Sequence, residues 1–151
     1  MPVPFWQGRL AGQYDSHETS DEEGAMTTMG VLTGERLPRS LLHLEGVAVA
    51  AAALVIYFWA DHPWWLILVL ALAPDLAMAA YAAGPRVGAV AYDVVHTYAL
   101  PLVLGAVGVL ADNDAAVAVA LIWLTHIGVD RAIGYGLKYP SGFKDTHLQR
   151  V

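Results

Sequence analysis

At 151 residues the chain is long enough for one domain, but its 57% hydrophobic content and mean hydropathy of +0.49 exclude an ordinary water-soluble domain of that size. With no cysteine, disulfides and thiolate metal sites are excluded, and histidine and carboxylate are the strong ligand types that remain. The net charge of −6 leaves no footprint for nucleic acid, and because six acids and three basic residues precede Leu41, the remainder is poorer still in charge, as in a chain solvated by lipid.

Residues 1–40 are polar, and Ser16-His-Glu-Thr-Ser-Asp-Glu-Glu-Gly24 forms an acidic cluster without an apolar face, which predicts a disordered acidic tail. The tail lacks the basic-then-apolar order of a secretory signal, and Met26 and Met29 offer alternative starts. From Leu41 onward the expected class is all-α, an integral membrane bundle of four transmembrane helices over about 41–60, 64–83, 87–111 and 115–139. A short polar tail, 140–151, follows. Tyr57, Trp59, Trp64 and Trp65 mark an aromatic belt at the end of the first helix, and Asp61-His-Pro63 makes the turn. Pro74 and Pro101 predict kinks in the second and third helices.

Orientation follows from the basic residues. Arg36 and Arg39 precede the first helix, Arg86 lies between the second and third, and Lys138, Lys144 and Arg150 follow the fourth, whereas the other two connections carry Asp61, His62, Asp112 and Asp114. The positive-inside rule then predicts both termini in the cytoplasm, in an inner-membrane protein whose surrounding partner is the lipid bilayer.

Ionisable residues inside spans are expensive, and here they fall at one depth. At about 1.5 Å per residue from the cytoplasmic ends, Glu45, Asp75, Asp93, His96, His126 and Asp130 occupy a band on the order of 12 Å. Asp93 and His96 are three apart and His126 and Asp130 four apart, so each pair shares a helix face. Two imidazoles with two or three carboxylates suit a divalent metal such as zinc, manganese or iron, with Asp75, His96, His126 and Asp130 as ligands and Asp93 as general base or extra ligand. Arg86, Lys138 and Lys144 would hold an anionic substrate such as a lipid or lipid phosphate. The same residues also fit interhelical hydrogen bonding, capping of groups freed at Pro74, or proton carriage; Tyr135, Lys138 and Tyr139 fit interfacial anchoring equally well. Glu45 reads as a charge near the start of the first helix, and His147 as a residue able to fold back toward the site.

Leu41 to Leu148 resembles a bacterial family of small four-helix membrane proteins classed as a domain of unknown function, through Ala73-Pro-Asp-Leu-Ala-Met78, Gly84-Pro-Arg-Val-Gly88, Tyr92-Asp-Val-Val-His-Thr-Tyr98, His126-Ile-Gly-Val-Asp-Arg131 and Gly134-Tyr-Gly-Leu-Lys-Tyr-Pro-Ser-Gly-Phe-Lys144. That resemblance implies topology rather than an activity. A more distant likeness is to inner-membrane proteins described as LexA-binding metal-dependent hydrolases, in the order Pro74-Asp75, Arg86, His96, His126-x-x-x-Asp130 and Tyr139-Pro140. Ala77 and Met78 stand where those proteins carry a second Asp, and His96-Thr97-Tyr98 replaces their Arg-Gly-x-Thr-His-Ser run. The implied function is metal-dependent hydrolysis at the cytoplasmic face of the membrane. The alternatives are a small proton- or ion-handling transport protein and a non-catalytic scaffold.

Overall fold

The computed structural model describes residues 37–141 and 145–150. Of the acidic tail predicted for 1–40, residues 1–36 lie outside the described residues, as does Lys144, while 37–40 are helical. Four helical spans follow one another: Leu37–Trp59 (α1); Trp64–Ala83, made of α2 (Trp64–Leu70) and a 3-10 segment (Pro74–Ala83); Pro85–Leu110, made of α3 (Pro85–Val95) and α4 (Ala99–Leu110); and α5 (Asp114–Ile133). Each is long and apolar enough to cross a bilayer. The second span buries none of its residues within the chain, and Leu68, Val69, Leu72 and Leu76 are exposed in a row that only lipid could solvate. The chain is a membrane protein.

Three helices end in the same way. Asp61, Asp112 and Gly134 take positive φ, and in each case the amide of the next residue reaches back to the carbonyl five positions earlier: His62 to Tyr57, Asn113 to Gly108 and Tyr135 to Asp130. This arrangement satisfies carbonyls that a helix end otherwise strands. It also corrects the fourth span: α5 stops at Ile133, six residues before the expected 139, because Gly134 adopts the left-handed conformation and diverts the chain. At the other end, α1 already includes Leu37, ahead of the expected Leu41, so exposed Glu45 lies at least two turns inside the helix and not at its first turn.

The predicted kinks are both real breaks, in forms set by proline chemistry. Pro74 has no N–H to give, and the chain passes from α2 through Ala71–Ala73 into ten residues of 3-10 helix. The break in the third span falls at His96–Tyr98, ahead of Pro101, which sits in the first turn of α4 where a missing amide costs least.

Packing is closest where α1 crosses α5. A Cβ on Gly46 would meet the Gly128 carbonyl at 2.7 Å and the Ala132 nitrogen at 2.8 Å, and one on Gly128 would meet the Ala50 nitrogen at 2.8 Å. Here backbone touches backbone, the small-residue contact that membrane helices use in place of a hydrophobic drive. His43 adds a bond from Nδ1–H to the Ala132 carbonyl at 2.8 Å, near the end of α5. On the far side Ala53, Tyr57, Ala118, Leu121 and Ile122 form the apolar core, with Leu66, Ile67 and Leu70 of α2 against it.

After Gly134 the chain forms a hook. Lys138 and Thr146 pair as an antiparallel bridge, Tyr139 N–H donates to the Asp145 carbonyl at 2.8 Å, and Leu148 is fully buried. His147 does fold back, but onto Arg131 and Leu137: its Nδ1 accepts the Leu137 amide at 2.9 Å.

Two outcomes follow from this packing. Gly128→Val should destabilise the bundle by about 1–3 kcal/mol through overpacking against backbone that cannot yield. Thermal unfolding in detergent reads this, with Gly105→Ala, whose Cβ would meet only the Ala120 side chain at 3.3 Å, as the mild control. Burial, and then the Arg131 charge, hold the His147 imidazole below its ordinary value of 6.5. Protonation therefore favours undocking, and the stability of the docked hook is full above about pH 6.5 and declines as pH falls below it. Hydrogen exchange at the Leu137 and Leu148 amides should accelerate, after correction for intrinsic rates, between pH 7.5 and 5.5 (about one unit either side of the free imidazole value), and His147→Gln should flatten that dependence.

Candidate metal centre

Three breaks or turns of helix deliver four ligand-type side chains to one point. Asp75 stands at the start of the 3-10 segment, directly after Pro74. His96 is the C-cap of α3, with φ −104° and ψ 15°, at the break in the third span. His126 and Asp130 lie one turn apart on α5.

Their atoms converge closely. His96 Nε2 lies 3.1 Å from His126 Nε2, 3.4 Å from Asp75 Oδ1 and 3.6 Å from Asp130 Oδ2, while His126 Nε2 lies 3.6 Å from each of the same two oxygens. All four atoms fall within 4.8 Å of one another. A tetrahedron with metal–ligand bonds of about 2.0–2.1 Å has edges of about 3.3–3.4 Å, so the five measured edges bracket what zinc-sized coordination needs. Calcium, with bonds of about 2.3–2.6 Å and six to eight oxygens, fits neither the spacing nor the nitrogen donors.

The surroundings orient these donors. His96 Nδ1 faces the Tyr92 carbonyl at 2.9 Å; since a carbonyl only accepts, Nδ1 carries the proton and Nε2 presents its lone pair to the cluster. Tyr92 acts a second time through its hydroxyl, which donates to Asp130 Oδ2 at 3.2 Å, and its ring stacks on His96 with centroids 3.6 Å apart. Trp123 Nε1–H donates to the Val95 carbonyl at 2.7 Å, covering a group freed where α3 ends and fixing the break that positions His96. His96 and His126 are nearly closed off, whereas the Asp75 side chain keeps 37% of its surface.

The remaining expected residues divide. Asp93 stands outside the four-residue group: its Oδ1 accepts the Lys138 amide at 2.7 Å and so ties the hook to α3. Lys138 is buried, with Nζ 4.1 Å from the centroid of the Tyr92 ring and 5.4 Å from that of Tyr81. Burial holds its ammonium below the ordinary lysine range, an effect that the charges of Asp75, Asp130 and Asp93 oppose. Arg86 is exposed and lines a surface pocket with Gly84, Pro85 and Pro140, away from the four ligands. Tyr92 and Trp123 were not anticipated as parts of the site. The signal for Tyr92 was its place four residues before His96, on the same helix face.

A family model described as "Domain of unknown function (DUF4260)" matches residues 39–151, which takes in all but the first two residues of the four spans, and the hook. The chain belongs to this family. Comparison with curated proteins and with solved structures gives no match, so the likeness to LexA-binding hydrolases is not shown.

In this DUF4260 protein, Tyr92→Phe keeps the ring and removes one outer bond to Asp130. Metal affinity, read by chelator competition on the folded variant, should fall about 10–100-fold, the usual cost of losing an outer-shell partner.

Proposed function

We propose that this DUF4260 protein binds a divalent transition metal within the membrane and uses it for hydrolysis of a lipid or lipid-phosphate substrate. The observation that carries the reading is the close N2O2 grouping of Asp75, His96, His126 and Asp130, whose ligand atoms all lie within 4.8 Å of one another. Without a cation, that arrangement would set two carboxylates and two converging imidazole nitrogens against each other in a low-dielectric layer. Nitrogen and oxygen donors together favour zinc, manganese or iron over magnesium or calcium. Such an ion supplies activation of water at neutral pH.

The chain's own residues supply the rest. Asp75, the most exposed of the four ligands and the first residue after a proline break, is the one best able to yield a position to substrate. An apolar cavity of about 180 Å³, lined by Leu54, Tyr57, Ile67, Ala71 and Leu72, ends at His126 and suits an acyl chain entering from the bilayer. Lys138 contributes positive charge beside the carboxylates, and we assign Asp93 a positioning role through the Lys138 amide rather than that of general base. Arg86 and Lys144 are candidates for a substrate phosphate at the surface. The basic residues flanking the spans support a cytoplasmic location for both termini and for the site, in an inner membrane.

A second reading, ion handling, is favoured by one feature: the group offers four protein donors, the number found in closed metal sites, whereas catalytic zinc keeps one position open. Elemental analysis of purified protein should find metal in wild type and none in folded His126→Ala or Asp130→Ala. Hydrolysis of phosphatidic acid should then fall by at least about 100-fold in both variants, within the range that loss of a metal's contribution allows. Metal present, hydrolysis absent across phospholipids and metal flux into proteoliposomes would establish the second reading instead. Wild type free of metal after incubation with zinc, manganese and iron would end both.

A further inference from the structure

Directly after Asp130, and turned to a different face of α5, Arg131 begins a group of side chains rich in hydrogen-bond donors. Arg131 is half-buried, with its Cβ against Gly46 of α1 and its guanidinium carbon 5.4 Å from the centroid of the Tyr98 ring. No carboxylate pairs with it among the described residues. Its hydrogen-bonding neighbour is His147 Nε2, 3.1 Å from Nη1. That nitrogen is a poor acceptor here. Nδ1 of the same ring already accepts the Leu137 amide at 2.9 Å, so the neutral imidazole carries its hydrogen on Nε2, and the guanidinium and the Nε2–H face each other as two donors. Beside them the Tyr98 hydroxyl is buried with no hydrogen-bond partner. The imidazole packs closely against Gly136, where a Cβ would meet His147 Nδ1 at 2.5 Å.

Among the described residues neither the guanidinium nor the Tyr98 hydroxyl meets a side-chain acceptor other than that imidazole, and Glu45 acts on Tyr98 only through its charge. A cation inside a span is retained when something pairs with it, and a planar guanidinium flanked by further N–H and O–H groups is the arrangement that holds an oxyanion. We propose that Arg131, His147 and Tyr98 bind a phosphate group, the oxyanion found at the end of a span in any phospholipid bilayer. Two sources share that chemistry, a lipid headgroup and free phosphate. The site is separate from the metal ligands and does not rest on the hydrolase reading; it names where an anionic lipid or an anionic product would be held.

The test uses full-length protein, stripped of lipid in neutral detergent, titrated with inorganic phosphate by calorimetry, and then placed in phosphatidylcholine nanodiscs with and without phosphatidic acid and analysed for retained lipid by native mass spectrometry. Binding of inorganic phosphate assigns the site to free phosphate; retention of phosphatidic acid alone assigns it to a headgroup. In either case Arg131→Gln should weaken binding by at least about tenfold, the scale of one charge-assisted bond, and Tyr98→Phe, which changes no packing volume, should weaken it measurably. Metal content should not change in either variant, which separates a failure here from a failure of the metal centre. No binding of either probe to wild type would overturn the proposal, as would binding that both Tyr98→Phe and a folded Arg131→Gln leave intact.

Discussion

The cost of holding ionisable groups in a medium without water sets the terms for everything else in this protein. Asp75, His96, His126 and Asp130 are tolerable at their depth only because each is within hydrogen-bond or ion-pair reach of another, or of a cation they hold together. The helices are shaped to that demand. The Pro74 break and the His96–Tyr98 break are where regular helix is surrendered so that Asp75 and His96 can reach two residues spaced one turn apart on unbroken α5. Each break exposes backbone groups that would be costly in lipid, and the Trp123 indole shows how one of them is recovered.

Close approach of α1 and α5 at Gly46 and Gly128 is the second constraint, and it serves the first. With backbone against backbone, α5 has no freedom to rotate about its axis, so His126 and Asp130 point where the other two ligands can find them. The same crossing carries Arg131 outward between α1 and Tyr98. One helix therefore presents His126 and Asp130 on one side and Arg131 on another, with Gly128 held against α1 fixing the direction of both.

Much of this was legible in the sequence. Four long apolar runs give four spans without ambiguity, and the second was bounded to the residue at Trp64 and Ala83, because Pro63 and Gly84 punctuate it. The four clustered residues were visible as ionisable groups at common depth, since depth depends only on rise per residue. What was not legible depended on conformation that composition does not encode. The expected fourth helix ran straight through Gly134, whereas the left-handed conformation of that residue ends α5 early and sends the chain into the hook. Asp93 has the same residue type and spacing as a ligand, and only the return of Lys138 shows that its carboxylate is spent on a backbone amide. Tyr92 looked like one more aromatic residue until the carbonyl and hydroxyl of that single residue were seen to address two different ligands.

The 3-10 segment gives the second span a property of its own. Asp75, Met78 and Tyr81 align at every third residue along it, and Tyr81 is wedged against Gly88 at the start of α3. A 3-10 helix advances about 120° per residue and an α-helix about 100°, so over the six residues from Asp75 to Tyr81 the two winds differ by about a third of a turn. The direction of the Asp75 carboxylate is thus written into the pitch of the backbone between two fixed ends. Rewinding those ten residues as α-helix would carry the carboxylate out of the cluster without disturbing a single side-chain rotamer.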